Sequence, residues 1–140
     1  MAYCTSDDIK KIINEDVLTQ LTDDENLGVI GAEKVDEAIA NADSMVDGYA
    51  ASRYLTPFSP VPRLIHIISI DIAIYNLYSR RENVPEIREK RYKDAVKLLD
   101  RLADGKLTIG EVDQPVVESS GVIKTTTRPK LFGRETLENY

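Results

Sequence analysis

The chain has 140 residues, 42% of them hydrophobic and 30% charged, which suits one folded domain with its own core rather than a disordered chain. A formal charge of −6 argues against a nucleic-acid module, whose footprint is a basic patch, and disfavours an anionic membrane surface. A single cysteine, Cys4, cannot close an internal disulfide, so a reducing cytoplasm is expected, and the start MAYCTSDD has no signal-peptide pattern.

The first helix starts at Thr5 or Ser6 as N-cap, with Asp7 and Asp8 in the positive first turn. Ile9, Ile12 and Ile13 form its apolar stripe, and Asn14 ends it. Asp16 is placed to cap a short turn carrying Val17, Leu18 and Leu21. The stretch TDDENLGVIGAEK, residues 22–34, invites a calcium-loop reading. Spacing rejects it. With Gly28 at loop position six, Leu27 falls where an oxygen ligand is needed and Lys34 where a bidentate Glu is needed. A solvated acidic turn between helix pairs is the preferred reading.

A long helix follows over 32–53. Val35, Ala38, Ile39, Ala42, Met45, Val46 and Tyr49 recur at three- and four-residue steps. Gly48, late in this helix, costs about 1 kcal/mol relative to Ala, so it marks a close helix crossing or a bend. YLTPFSPVP, residues 54–62, has three prolines in six residues and reads as a stiff extended link, with Leu55 and Phe58 tucked under the bundle.

Residues 61–81, VPRLIHIISIDIAIYNLYSRR, form the element around which the rest is arranged. Between Leu64 and Tyr78 the polar side chains are His66, Ser69, Asp71 and Asn76, so the helix is apolar nearly all round and expects burial on most sides. Its length of roughly 27 Å approaches a membrane span, but Asp71 and His66 at its middle oppose one. His66 is the only histidine and belongs to no metal-ligand constellation, so it reads as structural. Asp71, costly if buried alone, needs a partner. Arg53 is the first candidate for this structural ion pair, with backbone donors of the proline-rich link as the alternative.

Asn83, Pro85 and Glu86 open the last helix, which carries Ile87, Tyr92, Ala95, Val96, Leu98, Leu99 and Leu102 and stops at Gly105. Its basic residues interleave with acids and read as a solvated, salt-bridged face. The pattern then changes. Residues 1–105 form a helical domain, and 106–140 an irregular C-terminal arm, either a weak hairpin or a strand lent to a neighbour. Phe132, Arg134, Leu137 and Tyr140 keep anchors on this otherwise polar tail, for intrachain docking or for contact with another subunit or partner. The whole predicts an all-α fold, a small bundle of four to five helices around a central apolar helix. With no triad, phosphate loop, metal cluster or acid–base pair, no enzyme, cofactor or metal is expected.

Certain residues, in their order, carry a resemblance: Tyr3-Cys4-Thr5, Gln20-Leu21-Thr22-Asp23, Asp47-Gly48-Tyr49, Arg53-Tyr54, Val61-Pro62, Asp71-Ile72-Ala73, Arg91-Tyr92, Gly105-Lys106-Leu107 and Phe132-x-Arg134-x-x-Leu137. The chain resembles a family of small structural proteins of phages and prophages, first met in Mu-like phages. The resemblance implies a helical head–tail connector, or adaptor, that forms a cyclic homo-oligomer below the portal. Its implied partners are itself, the portal and tail-completion proteins, with DNA passing through the ring at most. Its implied place is the virion neck, after assembly in the bacterial cytoplasm. Adaptor, stopper and tail-completion roles stay open, and so does another class, a small acidic helical regulator that binds a protein as a monomer or dimer.

Overall fold

The computed structural model describes residues 2–109. The helices among them are α1 (Ser6–Lys10), α2 (Glu15–Thr22), α3 (Ala32–Ala50), α4 (Arg63–Ser79) and α5 (Glu86–Ala103), and no strand occurs among the described residues. α4 packs against each of the other four. Its consecutive residues Ile68, Ser69 and Ile70, then Ile72, Ala73 and Ile74, are all buried, so most sides of the helix are covered in its middle turns, and only Ile67 and part of Asp71 reach solvent. This is how a sequence apolar all round folds: the neighbours are laid around it. No helix among the described residues is long and apolar enough to cross a membrane.

α3 contributes Val35, Ala38, Ile39, Ala42, Val46 and Ala50, a single stripe at three- and four-residue steps. The small side chains at 38 and 42 leave the α3 backbone accessible, and Asn76 Nδ2 on α4 donates to the Ala38 carbonyl at 3.3 Å. α5 buries Ala95, Leu99 and Leu102. Its Tyr92 ring stacks on Tyr75 of α4 at 3.9 Å between centroids.

The helix ends are built locally. Thr5 and Asp8 form a reciprocal capping box at α1. α5 ends in a Schellman motif: Gly105 takes φ +81°, its N–H reaches the Leu102 carbonyl at 3.2 Å, and Lys106 N–H reaches the Arg101 carbonyl at 2.8 Å. The Arg53 guanidinium lies over this glycine, so close that a Cβ on Gly105 would sit 2.8 Å from Nη1.

Several expectations are corrected. α1 stops at Lys10, and of the three isoleucines Ile9 and Ile13 are buried while Ile12 is exposed. Asn14, not Asp16, is the N-cap residue of α2. α3 ends at Ala50, before Arg53. A Cβ on Gly48 would meet nothing within 4 Å, so this glycine marks no close crossing. In the link, Phe58 is fully buried between the rings of Tyr3 and Tyr54, each 5.9 Å away, but Leu55 is half exposed. The Thr56–Pro57 and Ser59–Pro60 peptide bonds are cis. Pro85 rather than Asn83 is the N-cap residue of α5, and Ile87 stands in solvent.

Candidate functional site

The densest polar cluster fastens the N-terminal segment to α3 and α4. Tyr3 inserts beside Phe58, and its hydroxyl donates to Asp47 while accepting the Phe58 N–H at 3.0 Å. Tyr3 N–H donates to Asp43 at 3.1 Å. The Tyr3 carbonyl lies 2.8 Å from His66 Nδ1, which therefore carries the proton; His66 Nε2 points at Asp8, 3.8 Å away. Ser69 Oγ lies 2.9 Å from Asp43 and 3.4 Å from Cys4 Sγ. Each group has a partner, as burial demands.

This cluster reads chemically as a clasp. Burial pushes the Cys4 thiol up to about 11, and the Ser69 contact only partly offsets it, so the thiolate needed for nucleophilic attack is scarce near neutral pH. Burial also drives the Tyr3 phenol far above its ordinary value, helped by Asp47. Asp43 is raised by burial, against the Ser69 hydroxyl and the Tyr3 N–H. A groove of about 640 Å³ runs between this segment and α3, edged by Asp36, Asp43 and Asp47. Two of those three carboxylates are already taken by Tyr3 and Ser69. Among the described residues no group of histidine, cysteine and carboxylates is arranged to hold a metal ion.

Asp71 pairs with a different arginine from the one expected. Arg91 of α5 lies 3.7 Å from its Oδ1, whereas Arg53 lies over Gly105, with a buried Nε that has no hydrogen-bond partner among the described residues. Antiparallel packing of α5 on α4 brings residue 91 opposite residue 71, and α3 ends too far away to do so. Burial raises the Asp71 carboxyl, and Arg91, then Arg88, pull it back only in part. The tail residues Phe132, Arg134, Leu137 and Tyr140 lie outside the described residues.

Besides the single exposed side chains of Ile12 and Leu55, two places among the described residues hold pairs of large apolar side chains outward. The first is the loop between α2 and α3. Asp23 accepts the N–H groups of Leu27 at 2.9 Å and Gly28 at 2.7 Å. These bonds hold its carboxyl below the usual range. Thr22 Oγ1 accepts the Gly31 N–H at 2.9 Å. Asn26 and Gly28 adopt positive φ, and Asp24 is tied to Arg80 at 2.7 Å and Arg81 at 3.1 Å. So braced, the loop leaves Leu27 67% and Val29 57% exposed. The second place is a groove of about 310 Å³ between α4 and α5, walled by Ile67, Ile87 and Leu98 with Asp71, Lys90 and Arg91. Ile87 is 61% exposed there.

The clasp was missed in the sequence because Asp43 and Asp47 look like the solvated side of α3. The usable signal was Ser69, a hydroxyl amid isoleucines, together with two carboxylates four residues apart beside the apolar stripe.

Comparison with known proteins now bears on the resemblance. The model of the family described as Bacteriophage Mu, Gp36 matches residues 3–126. The Mu-like prophage FluMu protein gp36 of Haemophilus influenzae is 28% identical over 108 residues, 76% of this chain and 75% of that protein. Gene product J of Escherichia phage Mu is 26% identical over 102 residues, 71% of each. The family match runs from the clasp residue Tyr3 through all five helices, and the chain belongs to the Bacteriophage Mu Gp36 family.

Proposed function

We propose that this phage protein is a virion assembly component, a head–tail connector subunit whose copies close into a ring below the portal and offer a docking surface to tail-completion proteins. The observation that supports this most is a braced helical bundle holding apolar side chains outward at two separate places, Leu27 with Val29 and Ile67 with Ile87. Large apolar side chains kept in water by a rigid frame fit a protein made to contact others. The acidic balance of −6 suits a conduit that must not grip phosphate. The chain works without catalysis on this reading, its thiol being buried and its histidine committed to the Tyr3 carbonyl. It is made in the bacterial cytoplasm and ends in the virion neck.

Two experiments test the reading. Antibody labelling of purified virions should mark the neck; absence of the protein from virions would contradict the proposal and favour a regulator that acts in the cell. Deleting residues 128–140, with the tail anchors, should weaken assembly and leave the melting of the bundle unchanged. Undiminished assembly of the shortened chain would remove the tail from the contact.

A further inference from the structure

We propose that the groove between the N-terminal segment and α3 receives residues 124–134 of a neighbouring copy, a basic stretch beyond the described residues, so that the C-terminal arm of each chain grips the acidic groove of the next. The inference rests on the ring reading above and names the surface on which the arm closes.

The groove carries one sign of charge. Its volume is about 640 Å³, and Asp36, Asp43 and Asp47 line it with no lysine, arginine or histidine beside them. Hydrogen bonds from Tyr3 and Ser69 satisfy Asp43 and Asp47, but these donors are neutral and leave both charges in place. None of the three carboxylates is in an ion pair among the described residues. Burial raises the Asp43 carboxyl and Asp47 raises it further, while the chain's α-amino group is the weakest of the influences on it. Carboxylates held together in this way are relieved by a cation that enters among them. Ile39, Ala40 and Pro57 add apolar wall, so the ligand that fits is a peptide with both cationic and apolar side chains.

The chain itself supplies such a peptide. Residues 124–134, KTTTRPKLFGR, carry Lys124, Arg128, Lys130 and Arg134 with no acid, and Leu131 and Phe132 among them. No other eleven-residue stretch has as high a net charge; the nearest rival, on α5, mixes its cations with Glu89 and Asp94. Residues 110–118 are the reverse, with Glu111, Asp113, Glu118 and no cation. The groove therefore repels the first part of the arm and attracts the second. Fifteen residues separate Lys124 from Ile109, which packs on the core. They span up to about 50 Å when extended, enough to cross onto an adjacent copy. An arm returned to its own groove adds nothing to assembly, so under the ring reading the groove belongs to the next copy. Arm and groove share no residue, as a head-to-tail contact that can close into a ring requires.

The test reverses charge on each side at positions the clasp does not use. Asp36→Lys/Ser44→Lys spoils the groove; both side chains are exposed, so the bundle melts as before. Arg128→Glu/Lys130→Glu spoils the arm. Each double variant alone should fall to the 15.7 kDa monomer in light scattering at low salt, where the wild type assembles. An equal mixture should recover one contact, an intact arm in an intact groove, and stop at a dimer holding one copy of each. Variants that still assemble as the wild type does would overturn the contact and leave the ring reading standing. So would a mixture that stays monomeric. If the wild type itself is monomeric, a labelled peptide of residues 119–134 decides by fluorescence anisotropy. Binding to the wild type that is lost in Asp36→Lys/Ser44→Lys upholds the contact, and no binding to any of the chains overturns it. Binding to Arg128→Glu/Lys130→Glu alone would show each arm filling its own groove, which overturns the contact between copies.

Discussion

Replacing Tyr3 with Phe tests the clasp with the removal of one oxygen. The ring keeps its packing against Phe58, 5.9 Å away, so no cavity opens. The fully buried Phe58 loses the acceptor for its N–H, and Asp47 loses a donor. Asp47 is only partly buried and water replaces the lost bond there. The Phe58 amide is not so placed. A buried donor left unpaired costs about 1–3 kcal/mol. For a domain of this size about 2 kcal/mol lowers Tm by roughly 6–10 °C. Calorimetry at neutral pH reads the shift directly. A double-mutant cycle with Asp47→Ala should show coupling of about 0.5 kcal/mol or more, since both changes strike one hydrogen bond. An unchanged Tm in Tyr3→Phe would refute the argument, because the segment would then be held by ring packing and the Asp43 and His66 contacts alone.

Other predictions follow from the same geometry. Gly48→Ala should stabilise the protein by about 0.5–1 kcal/mol, since the new methyl meets nothing within 4 Å; chemical denaturation checks it, and a loss of stability would mean that α3 needs the glycine. pH should act in two directions. The Asp43 and Asp71 carboxyls are raised by burial, so the folded chain binds their protons more tightly than the unfolded chain does. Stability therefore rises as pH falls from their folded values toward about 4, the ordinary aspartate value. Below that, Asp23 and Asp24, held low by the Leu27 and Gly28 amides and by Arg80 respectively, lose their contribution. Asp8 joins them, its burial being outweighed by the Thr5 amide and hydroxyl. Melting followed against pH should thus peak in mild acid. Asp71→Asn at neutral pH should hold or raise Tm and flatten the acid-side gain; a clear fall would show that the Arg91 pair outweighs burial.

The bundle was legible because its strongest signals are local. Residues 63–79 are apolar on every side, residues 35–50 repeat at helical steps, and Gly105 supplies the left-handed stop that α5 requires. What escaped depends on contacts distant in sequence. Arg53 and Arg91 are equally good cations for Asp71 until the antiparallel register of α4 and α5 is known. Tyr3 and Asp47 are 44 residues apart, and nothing near either announces the other. Ile87 fits the apolar pattern of α5 yet points outward, because periodicity locates an apolar side chain on a helix without saying whether the same chain or another covers it. The clasp therefore stayed hidden, and Ile12, Leu55 and Ile87 passed for core.

The central claim is that copies of this chain assemble into a closed ring. Light scattering over a wide concentration range, with negative-stain images of any large species, tests it most directly. The account predicts a closed ring of defined mass, many times 15.7 kDa, either from the free protein or on addition of the portal. A tight dimer with no larger species under either condition would contradict it.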